Sequence, residues 1–513
     1  MRQAATHMQQ DFCDVIVIGA GSAAFEAAVA ARQAGAERVV MLEKAPEEFS
    51  GGNARFSHTG FRFVVTGVEE IAEFLPDLDT ATLQSMQVAP YTRDDFLADL
   101  NRVTQYRIDP MLASCLVDRS NAAVHWMLET GIRWVPEKAV TIDGKRYFEP
   151  GKIIQPTGGG RGQLAQWRKI ADGLGIDIRF RSKVSGFLGD HRRIDGVQVT
   201  TPDSVYELLA PAVIACSGGF QANPEMRARY LGANTDFVKV RGSRYNTGEV
   251  LRMMLDLGVK PTGHWQGAHA SPIDSAAPSV ETPIASDGLG NTMNRYDYTF
   301  GITVNERGLR FYDEGEAYHT YTYAKTGRAI LEQPSGIAYQ IYDQTGIALF
   351  RHGPDYVATH EEAATIGELA KKIGIAPEVL GHTVAEFNKA VDAAVSFDPR
   401  RLDGKGTRGL MPNKSNWASP IERGPFRAYP VTCGITFTFG GVAVDTEAQV
   451  LNTEGEPIAG LYASGDVIGL FYHNYPSCTG QTRNVVFSLT AGRNAAAQAG
   501  RPIARPVRQS ATI

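Results

Sequence analysis

The sequence predicts an α/β protein in which a Rossmann-like, parallel-sheet domain is split along the chain and carries an inserted α+β capping domain. Three observations lead there. A strand–glycine turn–helix–strand unit opens the chain at residues 14–43. Alternating strands and helices run on to about residue 216 and resume after 437. The stretch between about 264 and 436 is different, rich in Tyr, His, Pro and Thr and poor in such units. The expected boundaries are 11–263 and 437–513 for the split domain and 264–436 for the insert.

The opening unit explains the first assignment. Val15–Ile18 is a short apolar run that reads as a buried strand. It meets Gly19-Ala20-Gly21-Ser22-Ala23-Ala24, then an alanine-rich helix, then a second strand, Val39–Leu42, ending on Glu43. Gly19 permits a tight turn, Gly21 lets the backbone approach a pyrophosphate, and small Ala24 lets the helix pack close to the strand. Ser22 and Ala23 open the helix, whose free N–H groups and positive dipole end suit phosphates. Glu43, with Lys44 beside it, lies where a carboxylate takes a ribose hydroxyl. The unit by itself does not separate FAD from NAD.

Composition sets the bounds. A chain of 513 residues holds two or three domains, and 43% hydrophobic with 21% charged residues is a soluble globular balance. A net charge of −5 without a basic cluster argues against nucleic acid as a partner. No apolar run is long enough to span a membrane. The N-terminus lacks the apolar core of a secretory signal, and its ten leading residues read as a loose tail. Cys13, Cys115, Cys216, Cys433 and Cys478 are scattered, without a CxxC pair. That fits a reducing cytoplasm and no metal site, neither iron–sulfur nor structural zinc.

Further along, Ser50-Gly51-Gly52-Asn53 is a glycine-rich stretch. Residues 94–131 carry apolar positions at helical spacing. Thr157–Gly162 is a second glycine knot, opening a helix over 163–174. Strands follow at 176–180, 184–188, 194–200, 205–209 and 212–216, the last running into Ser217-Gly218-Gly219. After the insert come 442–444, 450–451 and 461–463, then Ser464-Gly465-Asp466 and a helix over 485–499.

This ordered set, with Val304–Phe311, Phe439–Val442 and Gly460–Asp466, resembles the flavoprotein family of fumarate reductase and succinate dehydrogenase flavoprotein subunits over nearly the whole chain. Gly51–Phe63, Cys433–Thr446 and Asn474-Tyr475-Pro476 resemble its tricarballylate dehydrogenase branch. The resemblance implies FAD. Gly19 and Gly21 would face the pyrophosphate, Glu43 the adenosine ribose, and Gly51, Gly52 and Asn53 the flavin edge. Ser217, Gly218 and Gly219 would form a close turn beside the dinucleotide, and Asp466, after Gly465, would bond the ribitol or phosphate end. Some members attach FAD covalently through a histidine where this chain has Asn53, so non-covalent FAD is expected.

The family moves hydride between flavin N5 and a C–C bond next to a carbonyl or carboxylate, while an acid or base moves the neighbouring proton. For a carboxylate, Arg62, His269 and Arg483 are the expected anchors, since the arginine fork matches a carboxylate. The segment matching the fumarate reductase proton-donor arginine is Glu314–Tyr321 and holds no arginine, so Tyr318 or His319 would take that role. A second substrate histidine of fumarate reductases is Phe437 here, which argues against a fumarate reductase. Tyr472–Ser477 is dense in polar aromatics, with His473 and Ser477 expected at the substrate. Tyr475-Pro476-Ser477 also resembles the Tyr-x-Ser arrangement of flavin 3-ketosteroid dehydrogenases, with Tyr318 or Tyr321 as partner. The leading expectation is a tricarballylate-like dehydrogenase that passes electrons to a separate carrier or acceptor. The alternatives are an enone or 3-ketosteroid dehydrogenase or reductase, and a non-catalytic flavin-binding subunit or sensor.

Overall fold

The computed structural model describes residues 9–286, 291–350 and 358–499. The parts of the expected loose ends that fall in 1–8 and 500–513 lie outside these. Gln9 and Gln10 are not part of a tail: Gln9–Phe12 forms a parallel edge strand against Tyr206–Leu209.

The chain builds its first sheet from short apolar segments. β1 (Val15–Ile18) and β2 (Val39–Leu42) are buried along their whole length, as strands covered on both faces must be, and α1 (Ser22–Gln33) connects them. The expected helical stretch over 94–131 is two helices, α2 (Arg93–Val103) and α3 (Pro110–Thr130). The Asp109 carboxylate caps α3 by accepting from Met111 and Leu112 N–H, and Pro110 suits the first helical position but cannot continue a helix already running. α4 (Gly159–Gly173), β3 (Asp177–Arg179), the meander over 183–209 and β4 (Ala212–Ala215) follow.

The middle of the chain forms a second sheet around a long strand. β5 (Ala268–Asp274), β6 (Ile302–Asn305), α5 (His319–Leu331), β7 (Ile337–Tyr342) and β8 (Phe426–Thr438) come in this order. β8 pairs antiparallel with β5 and β7, and β6 pairs with β7. One short strand of this sheet, Lys239–Val240, precedes residue 264.

β9 (Gln449–Leu451), β10 (Pro457–Ala463) and α6 (Thr479–Ala499) then return to the first sheet, whose order is β9-β10-β4-β1-β2-β3, parallel except between β9 and β10. Both ends of the chain thus share one sheet. From β1 the chain moves to β2 and β3 on one side and to β4 on the other. The gap at the C-terminal ends of β1 and β4 is the switch point where ligands bind in such sheets.

Candidate active site

A single cavity of about 810 Å³ runs from that switch point to the aromatic residues of the second sheet and α5. At the sheet end, turns from four neighbouring strands converge on it: Gly19, Gly21, Ser22 and Ala23 after β1, Glu43 and Lys44 after β2, Ser217 and Gly218 after β4, and Gly465 and Asp466 after β10. Gly19 has φ 115°, and a methyl group there would lie 2.7 Å from the Cys216 carbonyl oxygen at the end of β4, so only glycine lets these two strand ends meet. α1 starts at Gly21 with no side chain capping it, leaving its first turn directed at the cavity. The Glu43 carboxylate accepts from the N–H of Ala20 at 2.9 Å and of Ala45 at 2.7 Å, tying the Gly19 turn to β2. Burial pushes its carboxyl above the usual range, against these two donors. Lys44 lines the wall too, with its ammonium donating to Thr247 Oγ1 at 2.5 Å and Glu249 Oε2 at 2.7 Å.

The middle of the wall is the loop Gly52-Asn53-Ala54. The Asn53 amide donates to the Thr436 carbonyl of β8 and accepts from Ser243 N–H at 3.0 Å, fastening this loop to the second sheet. Gly51 and Gly219, expected at the cofactor, do not line the cavity. A methyl on Gly51 would meet Leu164, and one on Gly219 would meet Thr438.

The residues present fit FAD. The cavity is continuous from the glycine turns to the tyrosines. Gly52, Gly218 and Gly465 line it with positive φ, where side chains would intrude. The Ser217 hydroxyl, on the same wall, is buried with no hydrogen-bond partner in the protein.

The far end is built from α5 and the segment before α6. Tyr318 and His319 open α5, and one turn later Tyr323 lies on the same face. The Tyr323 and Tyr475 hydroxyls are 2.8 Å apart. Tyr475 is 3.1 Å from His269 Nδ1, and His269 Nε2 is 2.9 Å from Ser271 Oγ. Arg241 NH1 donates to both Ser271 Oγ and Thr436 Oγ1 at 2.8 Å. Burial pushes both tyrosine hydroxyls up and His269 well down, Arg241 adding to the latter, so His269 is neutral. Tyr296, Phe437 and Trp417 complete the aromatic wall, and Ser477 also faces the cavity.

Beside this end lies a buried charged group. Glu137 Oε2 meets His58 Nε2 at 2.7 Å and Lys152 Nζ at 3.8 Å, all three lining the cavity. Burial alone would raise the Glu137 carboxyl, but His58 and Lys152 more than offset it and hold it at about 2. Gly60 makes room for this group, since a methyl there would lie within bonding range of Glu137 Oε1 and 2.8 Å from Cys478 Sγ.

Three expected substrate residues are elsewhere. Arg62 is fully buried but does not line the cavity. Its guanidinium donates to the carbonyls of Ser477, at 2.9 Å, and Pro150, and lies over the rings of Tyr91 and Tyr321. Arg483 is paired with Asp466 and sits over Phe437 and Phe471, behind the wall. The N–H of His473 donates to His264 Nδ1 at 3.1 Å and its ring packs on His264, outside the cavity. Tyr321 faces away, donating to Asp99 at 2.8 Å. Sequence reasoning missed Tyr323, Arg241, Lys152 and Glu137. Tyr323 was within reach: it lies four residues after His319 on a helix, whereas Tyr321, two residues on, points to another face.

A family model described as FAD binding domain matches residues 14–481. The probable fumarate reductase Ifc3 of Shewanella frigidimarina is 29% identical over 504 residues, covering 94% of this chain and 75% of its own. The 4-oxocyclohexanecarboxylate 2-dehydrogenase of Sinomonas cyclohexanicum is 27% identical over 470 residues, covering 86% and 72%. Among solved structures, the open conformation of a flavocytochrome c3 fumarate reductase superposes with a TM-score of 0.69 at 26% identity, over 96% of this chain and 79% of that one.

Proposed function

From the premise that the chain belongs to the fumarate reductase and succinate dehydrogenase flavoprotein family, and is an FAD-dependent oxidoreductase acting on CH–CH groups, we propose that it works on a C–C bond next to the carbonyl of an apolar ring ketone or enone. The supporting observation is the distribution of charge at the far end of the cavity. A polycarboxylate such as tricarballylate calls for two or more buried cations open to it, since one arginine fork matches one carboxylate. Arg62 and Arg483 are held behind the wall. Of the cations that do face the substrate end, Arg241 gives NH1 to the Ser271 and Thr436 hydroxyls and keeps a buried Nε without a partner, Lys152 is beside Glu137, and Lys138 stands at the exposed rim, which leaves one buried cation open to an anion. Tyrosine hydroxyls and aromatic rings line much of this end, with polar groups such as Glu149, Asn294 and Thr320 among them. The Sinomonas relative is named for a ring ketone, which agrees with the carbonyl, although that ketone also carries one carboxylate.

In this reading the glycine turns, Glu43 and Asp466 would hold FAD, which would supply the hydride-transfer chemistry. Tyr475 and Tyr323, kept protonated by burial, donate to the carbonyl oxygen where charge develops. Tyr318 and His319 are placed to exchange the proton of the neighbouring carbon. The aromatic wall keeps water from the reacting centre. The cofactor is bound non-covalently, which the engaged amide of Asn53 supports. The electrons pass to a separate carrier or acceptor, and the five unbridged cysteines suit a reducing compartment such as the cytoplasm.

The test is anaerobic mixing of the yellow holoenzyme with candidate substrates. Bleaching by a saturated ring ketone, or reoxidation of the reduced flavin by a cyclic enone, is expected. Bleaching by tricarballylate but not by ketones would replace this reading with the carboxylate one. Bleaching by dithionite alone would leave a flavin-binding protein without turnover.

A further inference from the structure

The tyrosines at the end of the cavity are not isolated hydroxyls. They end a chain of hydrogen bonds that starts at an arginine: Arg241, Ser271, His269, Tyr475, Tyr323. Arginine donates and never accepts, so the first bond has a fixed direction. Ser271 Oγ accepts from Arg241 NH1. Its own hydrogen has one acceptor along this chain, His269 Nε2, 2.9 Å away. Ser271 is fully buried, so water does not compete for that hydrogen. With Nε2 accepting, a neutral imidazole must carry its proton on Nδ1, and that N–H then donates to Tyr475 Oη at 3.1 Å. The Tyr475 oxygen is occupied as an acceptor from that side, and its own hydrogen is directed to Tyr323 or, with substrate present, into the cavity.

We infer that Arg241 and Ser271 are positioning residues that fix His269 as the Nδ1–H tautomer and thereby make Tyr475 a hydrogen-bond donor to the substrate oxygen. The inference rests on the reading of Tyr475 as the carbonyl partner. It also gives His269 a different place from the substrate anchor expected of it, because both its ring nitrogens are engaged with the protein. A consequence follows for the proton balance. The chain ends at a guanidinium that does not give up its proton. It can therefore polarise Tyr475 but cannot supply a net proton from solvent. Any net proton must reach the cavity by another route, from the α5 side, where Tyr318 and His319 line it, or from the group of His58, Glu137 and Lys152.

The first measurement needs no substrate. In the holoenzyme labelled with 15N-histidine, the His269 resonances, assigned by their loss in His269→Asn, are expected to show a protonated Nδ1 and an unprotonated Nε2. A protonated Nε2 overturns the proposal. The second measurement is Ser271→Ala. Without the hydroxyl, the imidazole is free to accept from Tyr475, so the tautomer is expected to shift toward Nε2–H. kcat on the substrate found above is expected to fall roughly 10²-fold with KM changed little. Ser271→Thr, which restores the hydroxyl, is expected to recover most of the rate. Unchanged kcat or an unchanged tautomer in Ser271→Ala overturns the proposal. If that variant does not fold, the tautomer in the native chain decides. If no ketone or enone reacts with the flavin, the functional reading fails, while the tautomer still tests the hydrogen-bond direction.

Discussion

Replacing Glu137 by Gln removes one negative charge from a site where two basic groups depend on it. His58 Nε2 is 2.7 Å away and Lys152 Nζ 3.8 Å, and the Glu137 side chain is fully buried. The carboxyl is held at about 2 against an ordinary value of 4.5. That depression corresponds to about 3 kcal/mol of stability at neutral pH, and Gln gives that up because a neutral amide cannot offset the buried ammonium. The sign follows from the direction of the shift. A carboxyl depressed in the folded state contributes its full stability above the unfolded value, near 4.5, and loses it as pH falls toward 2. The native protein should thus lose on the order of 1 kcal/mol from this group alone between pH 7 and pH 3.5, on top of the slope common to both proteins. Urea unfolding of the native chain and Glu137→Gln, at matched excess FAD, should give curves about 3 kcal/mol apart at pH 7 that converge as pH falls. Curves that stay parallel down to pH 3.5, or that coincide at pH 7, would refute the buried ion group.

Other outcomes follow from the same cavity. Gly19→Ala places a methyl against the Cys216 carbonyl in a left-handed backbone, so the protein should be purified colourless or with a large loss of FAD affinity, read from the 450 nm absorbance. Acid precipitation should leave the flavin in the supernatant, and yellow pellets would contradict the non-covalent cofactor. Asn53→Ala severs the bonds to Thr436 and Ser243; a melting curve should show a loss of roughly 1–3 kcal/mol, since a buried carbonyl and N–H are left unpaired. Tyr475→Phe should lower kcat about 10²- to 10³-fold on the ketone substrate while FAD content, measured by absorbance, stays unchanged.

The cofactor end was legible because its constraints are local. Gly19, Gly21 and Glu43 are needed where a buried strand ends, turns and starts a helix, and those steps are written in consecutive residues. The same holds for Gly465 and Asp466 after β10. The helix break at Asp109-Pro110 was also present in the sequence, as a cap followed by a proline, and was overrun by the apolar periodicity on either side of it. The substrate end was less legible. Arg62 and Arg483 were chosen by residue type and nearness to the flavin motifs, but each found a partner that turned it away from the cavity, Arg62 the Ser477 carbonyl 415 residues on and Arg483 the Asp466 carboxylate 17 residues before it.

The sequence by itself determined the fold class and the glycine turns that end β1, β4 and β10, because a strand-turn-helix unit needs its glycines and acid at fixed short spacings. Only the tertiary structure decided which charges face the substrate. A buried arginine is satisfied by whichever carbonyl or carboxylate the packed chain brings to it, and that group lies 415 residues away for Arg62 and 17 residues away for Arg483. The far end of the cavity was thereby left to tyrosines, Arg241 and the group of His58, Glu137 and Lys152.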